Sequence, residues 1–154
     1  MGIVKSNPFG PIDRTRLHEL ERRLGTSLPD DYRDYLIAHN GGAPEARLFL
    51  PPGKSKPFTC LSHTMFGLHE ADGQLDKVYG ICLDYLPSSV VAFAEDTGGN
   101  LFCVTVRGKR RGKIYFWDHH RQALGDEEPT FENVNLLFVA ESFREFLNGL
   151  RINE

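Results

Sequence analysis

The sequence predicts an α+β chain in which helices cover a central antiparallel sheet, and three observations carry that prediction. The first is a meander between Val90 and His120, where β-rich runs at Val90–Ala94, Leu101–Val106 and Lys113–Asp118 are separated by AEDTGGN and RGKRRG. Both spacers hold glycines, which permit the positive φ of tight reversals. The second is the middle run, where Leu101 and Cys103 alternate with Phe102, Val104 and Val106. Both faces of that strand are apolar, so helices or loops must cover them. The third is a set of capped, 3.6-periodic segments near the N-terminus and at the C-terminus.

Taken in order, residues 1–12 hold Pro8, Gly10 and Pro11 and read as an irregular lead-in. Asp13 then caps a first helix. Ile12 and Leu17 take staple positions, Leu17, Leu20 and Leu24 form its apolar stripe, and Gly25 stops it. A second helix follows, with Pro29 in the first turn, Asp30 and Asp31 at the positive end and Gly41 at the exit; its buried face is read as Tyr32, Tyr35, Leu36 and His39. Leu48–Leu50 is a short strand ended by Pro51 and Pro52, GKSKP is a polar loop, and Phe58–Phe66 alternates as another strand. Gln74–Leu86 is ambiguous in pattern and is read as a short helix leading to Leu86-Pro87. After the meander, Gly125–Pro129 is an acidic turn and Leu136–Ala140 a short edge strand. Ser142 and Glu145 form a capping box for a last helix, with Phe143, Phe146, Leu147 and Leu150 as its stripe.

Length and composition set bounds. A chain of 154 residues suits one domain and buries roughly two-thirds of its unfolded surface. With 40% hydrophobic residues, 25% charged and a net charge of −3, it belongs to neither the disordered nor the strongly basic class, so bulk nucleic-acid binding gains no support. The N-terminus lacks the apolar core of a secretion signal, and no run reaches the roughly 20 apolar residues of a membrane span. The expected location is cytoplasmic, without membrane contact. Cys60, Cys82 and Cys103 form no close pair and are expected as thiols.

The segments LGTSLPDDYRDYLIAHNGGAP, Leu86-Pro87, AEDTGGNLFCVTV, GKIYFWDHH and SFREFL, in that order, resemble the SUKH superfamily, the Smi/Knr-type proteins. The match runs from about Leu17 to Leu150, and the ordered set is more specific than any one piece. The resemblance implies one domain spanning 1–154, built as a curved, mostly antiparallel sheet under N-terminal helices and a C-terminal helix. It implies no active site and no cofactor. Its bacterial members commonly serve as immunity proteins that bind a cognate toxin, for instance a secreted nuclease or another polymorphic toxin domain; fungal relatives act as interaction modules. A monomer or weak dimer is expected.

Residues that could support enzymatic chemistry each have a plainer use. Cys60, His63, His69, Cys82, Cys103, His119 and His120 offer soft metal ligands, but only Cys60 and His63 are close-spaced, whereas zinc sites usually show two such pairs. A small metal-dependent hydrolase is therefore a remote alternative. Cys103 lies across a hairpin from His119 and His120, yet a mid-strand thiol between Phe102 and Val104 is expected to be buried and inert. Asn40-Gly41-Gly42 and the DTGGN turn match no phosphate-binding fingerprint and have structural uses.

Two charged regions remain as partner contacts. Arg107, Lys109, Arg110, Arg111 and Lys113 concentrate positive charge at one hairpin tip, which suits a solvated turn or an acidic protein, with Lys109, Arg110 and Arg111 as its test residues. The opposite pole comprises Glu70, Asp72, Asp76, Asp84, Glu95, Asp96 and the run Asp126 to Glu128. Within it, Asp84, Glu95 and Asp96 beside Tyr85 and Trp117 form the favoured aromatic-acidic interface, although core packing competes for Trp117 and Tyr115.

Overall fold

The middle strand of the meander is enclosed on both sides, as its sequence requires. In the computed structural model, which describes residues 2–49, 59–61, 64–70, 74–118, 128–134 and 136–152, β6 (Leu101–Thr105) has every residue buried. It lies between β5 (Val90–Glu95) and β7 (Ile114–Trp117), and β8 (Leu136–Ala140) completes a four-stranded antiparallel sheet in the order β5-β6-β7-β8. The short edge strand expected at Leu136–Ala140 is thus the outer strand. Register places Glu95, Leu101, Trp117 and Leu136 in one cross-strand row, and Ala94, Phe102, Phe116 and Leu137 in the next. Residues opposed in an antiparallel pair share a face, so the two rows point to opposite sides of the sheet.

On one face the core is aromatic. Phe102 meets Phe116 at 5.3 Å between ring centroids and Phe146 at 5.2 Å, while Phe93 meets Tyr32, Phe143 and Phe146. Phe93 joins them through a bulge between Ala92 and Ala94, an extra residue that turns its ring to the Phe102 side. Tyr32 belongs to α2 (Asp30–His39), and Phe143 and Phe146 to α4 (Phe143–Asn148), so both helices cover this face. The other face carries Cys103, Tyr115 and Trp117. It receives the end of α3 (Leu75–Cys82), the short helix read in the ambiguous Gln74–Leu86 stretch.

Local chemistry accounts for the helix ends. α1 (Arg14–Leu24) starts where Asp13 accepts from the Thr15 and Arg16 amides at 3.0 and 3.2 Å, and stops at Gly25 with φ 73°. Leu17, Leu20 and Leu24 are its buried stripe. The capping box on α4 is shifted by one position. Ser142 Oγ accepts from the Glu145 amide at 3.1 Å, but the Glu145 carboxylate reaches back to the Glu141 amide at 2.6 Å.

Several expectations need correction. The lead-in is not wholly irregular: β1 (Ile3–Lys5) pairs antiparallel with β2 (Ala43–Pro44). The exit from α2 turns at Asn40 as well as at the expected Gly41, with φ 41° and 97°. Asn40 takes the left-handed conformation because its side chain accepts from Leu68 N at 2.7 Å and donates to Gly10 O and Leu68 O. Gly41 meets a second need too, since a Cβ there would stand 2.5 Å from Met65 O. His39 is half-buried rather than core, with its Nδ1 2.8 Å from the Ser6 hydroxyl. The strand read at Phe58–Phe66 shrinks, within the described residues, to β4 (Thr59–Cys60), paired with β3 (Leu48–Phe49). Beyond it the backbone changes partner at each step, Leu61 N to Arg47 O, Met65 N to Gly42 O and Phe66 N to Phe93 O, so no ladder propagates. Leu50, the GKSKP loop, Asp72 and Gly125 to Glu127 lie outside the described residues.

Candidate interaction surface

The acidic turn between β5 and β6 closes on itself. Asp96 is 3% exposed. Its Oδ1 accepts from the Gly98 and Asn100 amides at 2.9 and 2.8 Å, and its Oδ2 from Asn100 Nδ2 at 3.0 Å. The backbone on either side is also held, by Thr97 N donating to Cys60 O and by a bridge between Leu61 and Asp96. A carboxylate saturated by amides of its own turn is a structural group. Asp96 therefore lies beneath the surface on which the sequence set it.

The basic turn between β6 and β7 is committed in another way. Arg107 donates to Leu24 O, the last carbonyl of α1, and to Ser88 Oγ at 2.9 Å. Arg111 donates to Ser27 O at 2.9 Å and Val106 O at 2.5 Å. Both guanidiniums satisfy carbonyls at and beyond the helix end, where a cation also suits the helix dipole. Arg110 lies over the Phe131 ring at 4.2 Å, and the Lys113 ammonium over Phe138 at 6.0 Å. Lys109 is exposed, with no ion pair among the described residues. Of the three test cations, Lys109 alone is left without a structural contact of this kind, so the tip is not one solvated cluster.

The aromatic part of the expected interface splits by depth. Trp117 is 4% exposed, and its indole N–H has no hydrogen-bond partner among the described residues. Tyr85, 39% exposed, stacks over it at 6.4 Å and 26°. Tyr115 is buried between Phe131 and Phe138. Asp84 is exposed beside Tyr85, and Glu95 is half-buried in the cross-strand row of Trp117. The structure thus brings Tyr85, Asp84, Trp117 and Glu95 to one side of the sheet, with Trp117 as the floor.

Sequence reasoning missed Ile81 and Leu83. These are 66% and 38% exposed and, with Tyr85, follow one another along the chain as a ridge of exposed apolar residues where α3 ends. The signal was present in the periodicity: Leu75, Tyr79 and Cys82 make the buried stripe of α3, and Ile81 falls off it. The ridge is held firmly. Tyr85 N and Leu86 N both donate to Cys82 O at 2.9 and 2.7 Å, and Tyr79 Oη donates to Ser88 O at 2.8 Å.

The two buried thiols are held protonated. Burial pushes the Cys82 thiol up to about 11 and raises Cys103 well above its ordinary value, with the neighbouring Cys82 adding to the effect, so both stay protonated at neutral pH. All three cysteines are free. Among the described residues no three His, Cys, Asp or Glu side chains come together as a metal site; His63, His119 and His120 lie outside them. No helix among the described residues is long and apolar enough to cross a membrane.

Helices packed on both faces of an open antiparallel sheet, with exposed apolar residues on one side where α3 ends, define a small single-domain α+β protein of the helix-covered-sheet class. Comparison with known families gives the more particular assignment. The chain belongs to the SMI1 / KNR4 family (SUKH-1), whose model matches residues 11–149; the family includes immunity proteins. The chain is also 28% identical, over 150 residues, to the SPbeta prophage-derived uncharacterized protein YokK of Bacillus subtilis (strain 168), a match covering 88% of this chain and 72% of that protein.

Proposed function

We propose that this chain is a non-enzymatic immunity protein that binds one cognate bacterial toxin domain and neutralises it by occlusion. The observation that carries the reading is the run of exposed Ile81, Leu83 and Tyr85 at the end of α3, with exposed Asp84 among them in the chain, because large apolar side chains left in water are candidates for burial against a partner. Tyr85 over Trp117 supplies a preordered aromatic anchor, and Asp84 with Glu95 complements a basic surface such as surrounds a nucleic-acid-cleaving site. Occlusion needs no reacting group, in keeping with inert buried thiols. No cofactor is required, and the site of action is the cytoplasm.

The decisive experiment is co-expression with candidate bacterial toxin domains. Protection of the host, together with a 1:1 complex weakened by Tyr85→Ala, is the expected result. An unprotected host and no measurable complex would overturn the reading. A general regulatory module of the Smi/Knr type is the second reading, favoured if the chain binds a host protein through the same ridge while giving no protection.

A further inference from the structure

The two outer strands of the sheet are finished differently. The outer side of β5 is taken up, by Phe66 N donating to Phe93 O and by the bridge between Leu61 and Asp96. Along β8 the hydrogen bonds run to β7, and among the described residues none reaches the outer side of Leu136–Ala140. Its sequence, LLFVA, holds no charge and no proline, two devices that keep such an edge from pairing. The edge is apolar toward both faces of the sheet. Phe138, 44% exposed, lies on the side of Tyr115, and Leu137 lies in the row of Phe102 and Phe116 on the side of α4. On that second side the edge borders a cavity of about 180 Å³, lined by Leu48, Phe49, Phe146 and Arg151. A bulge between Phe138 and Ala140 brings Val139 and Ala140 together into its wall.

An unpaired row of amides and carbonyls is matched by another extended backbone, and an edge apolar on both faces asks for a strand of the same kind. The chain carries such a strand in β8 itself. We propose that the protein forms a two-fold dimer in which β8 of one copy pairs antiparallel with β8 of a second, joining the two sheets into one. Laid antiparallel over its whole length, the strand has a single register: Phe138 stands opposite Phe138, Leu137 opposite Val139 and Leu136 opposite Ala140. Every opposed pair is apolar and none is charged. Opposed residues share a face, so Leu137 of each copy falls beside the other's Val139, at the cavity. About 150 Å³ of such space holds a benzene molecule, so the cavity has room for a leucine side chain. The contact uses the same patch on both copies and therefore closes at two. A strand of 5 residues buries little area, which sets the dimer in the weak, reversible class. The ridge after α3 takes no part, so the inference stands or falls apart from the immunity reading.

The first measurement is sedimentation equilibrium on the whole chain across a concentration series. The average mass is expected to rise from one copy toward two and go no further. Disulfide trapping then reads the register. In a Cys60→Ser background, which removes the partly exposed thiol, Phe138→Cys is expected to give a cross-linked dimer on mild oxidation with diamide. Residues opposed across an antiparallel pair stand about 4.5–5.5 Å apart at Cα, within the reach of a disulfide. Lys109→Cys, exposed on the basic turn, is the control and stays a monomer. Phe138→Lys sets two ammonium groups against each other on the axis and is expected to abolish the dimer; should it lose its circular dichroism spectrum, Val139→Lys takes its place. A wild-type chain that stays monomeric at its solubility limit overturns the proposal, and so does one whose mass grows past two copies. So does a Phe138→Cys chain that cross-links no more than Lys109→Cys, or a folded lysine variant that dimerises as the wild type does.

Discussion

The two turns of the meander carry opposite charge and are held by opposite means. Between β5 and β6, Asp96 folds inward and is satisfied within four residues of itself. Between β6 and β7, Arg107 and Arg111 reach outward across the molecule to the end of α1. The short acidic side chain finds donors in its own turn, whereas a guanidinium on a long stem is directed at carbonyls the helix leaves unpaired. Charge at a hairpin tip is thus no measure of availability to a partner. What is available lies beside the turns, on the ridge after α3 and at Phe138.

That contrast can be tested by mutation. The largest effect is expected in the strand the turns share: Phe102→Ala removes a fully buried ring among Phe49, Phe116 and Phe146 and should cost about 3–5 kcal/mol in urea unfolding. Asp96→Ala comes next. It strands the Gly98 and Asn100 amides, so a loss of about 2–3 kcal/mol is expected, and Asp96→Asn, which keeps an acceptor, should recover part of it. An Asp96→Ala variant as stable as the parent would break the view of this turn as self-closing. Arg107→Ala should cost about 1–2 kcal/mol by freeing Leu24 O and Ser88, while Lys109→Ala leaves the unfolding midpoint in place. Equal effects of the two would make the basic turn a uniform surface after all.

The smallest expected loss of stability is pH-dependent and concerns the segment on which the basic turn rests. Burial raises the Glu21 carboxyl, but hydrogen bonds from Arg33 and the Leu28 amide, with the charges of Arg33 and His18, outweigh it and hold the group below its ordinary value. A folded pKa below the unfolded one gives stability that is present above the unfolded value, roughly 4.3, and lost as pH falls through the folded value. Glu21→Gln should therefore be less stable than the parent by about 1 kcal/mol at pH 7, the gap closing in acid. Unfolding midpoints measured from pH 7 down to pH 3 would show it; a gap constant with pH would remove Glu21 ionisation as the cause.

Much of the fold was legible because its causes are local. Asp13, Gly25 and Ser142 act on amides within a few residues, and the meander is written in alternation and glycine turns. The Phe58–Phe66 reading failed where its alternation met a backbone that takes a new, distant partner at each step. At the candidate surface, Tyr85 and Asp84 are exposed, but Trp117 sank beneath Tyr85 and Asp96 closed on its own turn. Ile81 and Leu83 were missed because an apolar residue in a short, ambiguous helix defaults to core until its neighbours are placed.

By itself the sequence determined the α+β class, the helix starts and stops, the three central strands and the family resemblance, since each depends on spacing along the chain. Only the tertiary structure decided which charged and aromatic groups face outward. Arg107 and Leu24 stand 83 residues apart, and nothing in the local pattern of either announces their hydrogen bond. Exposure is what remains after every such distant pairing has been made, and so it is a property of the folded chain.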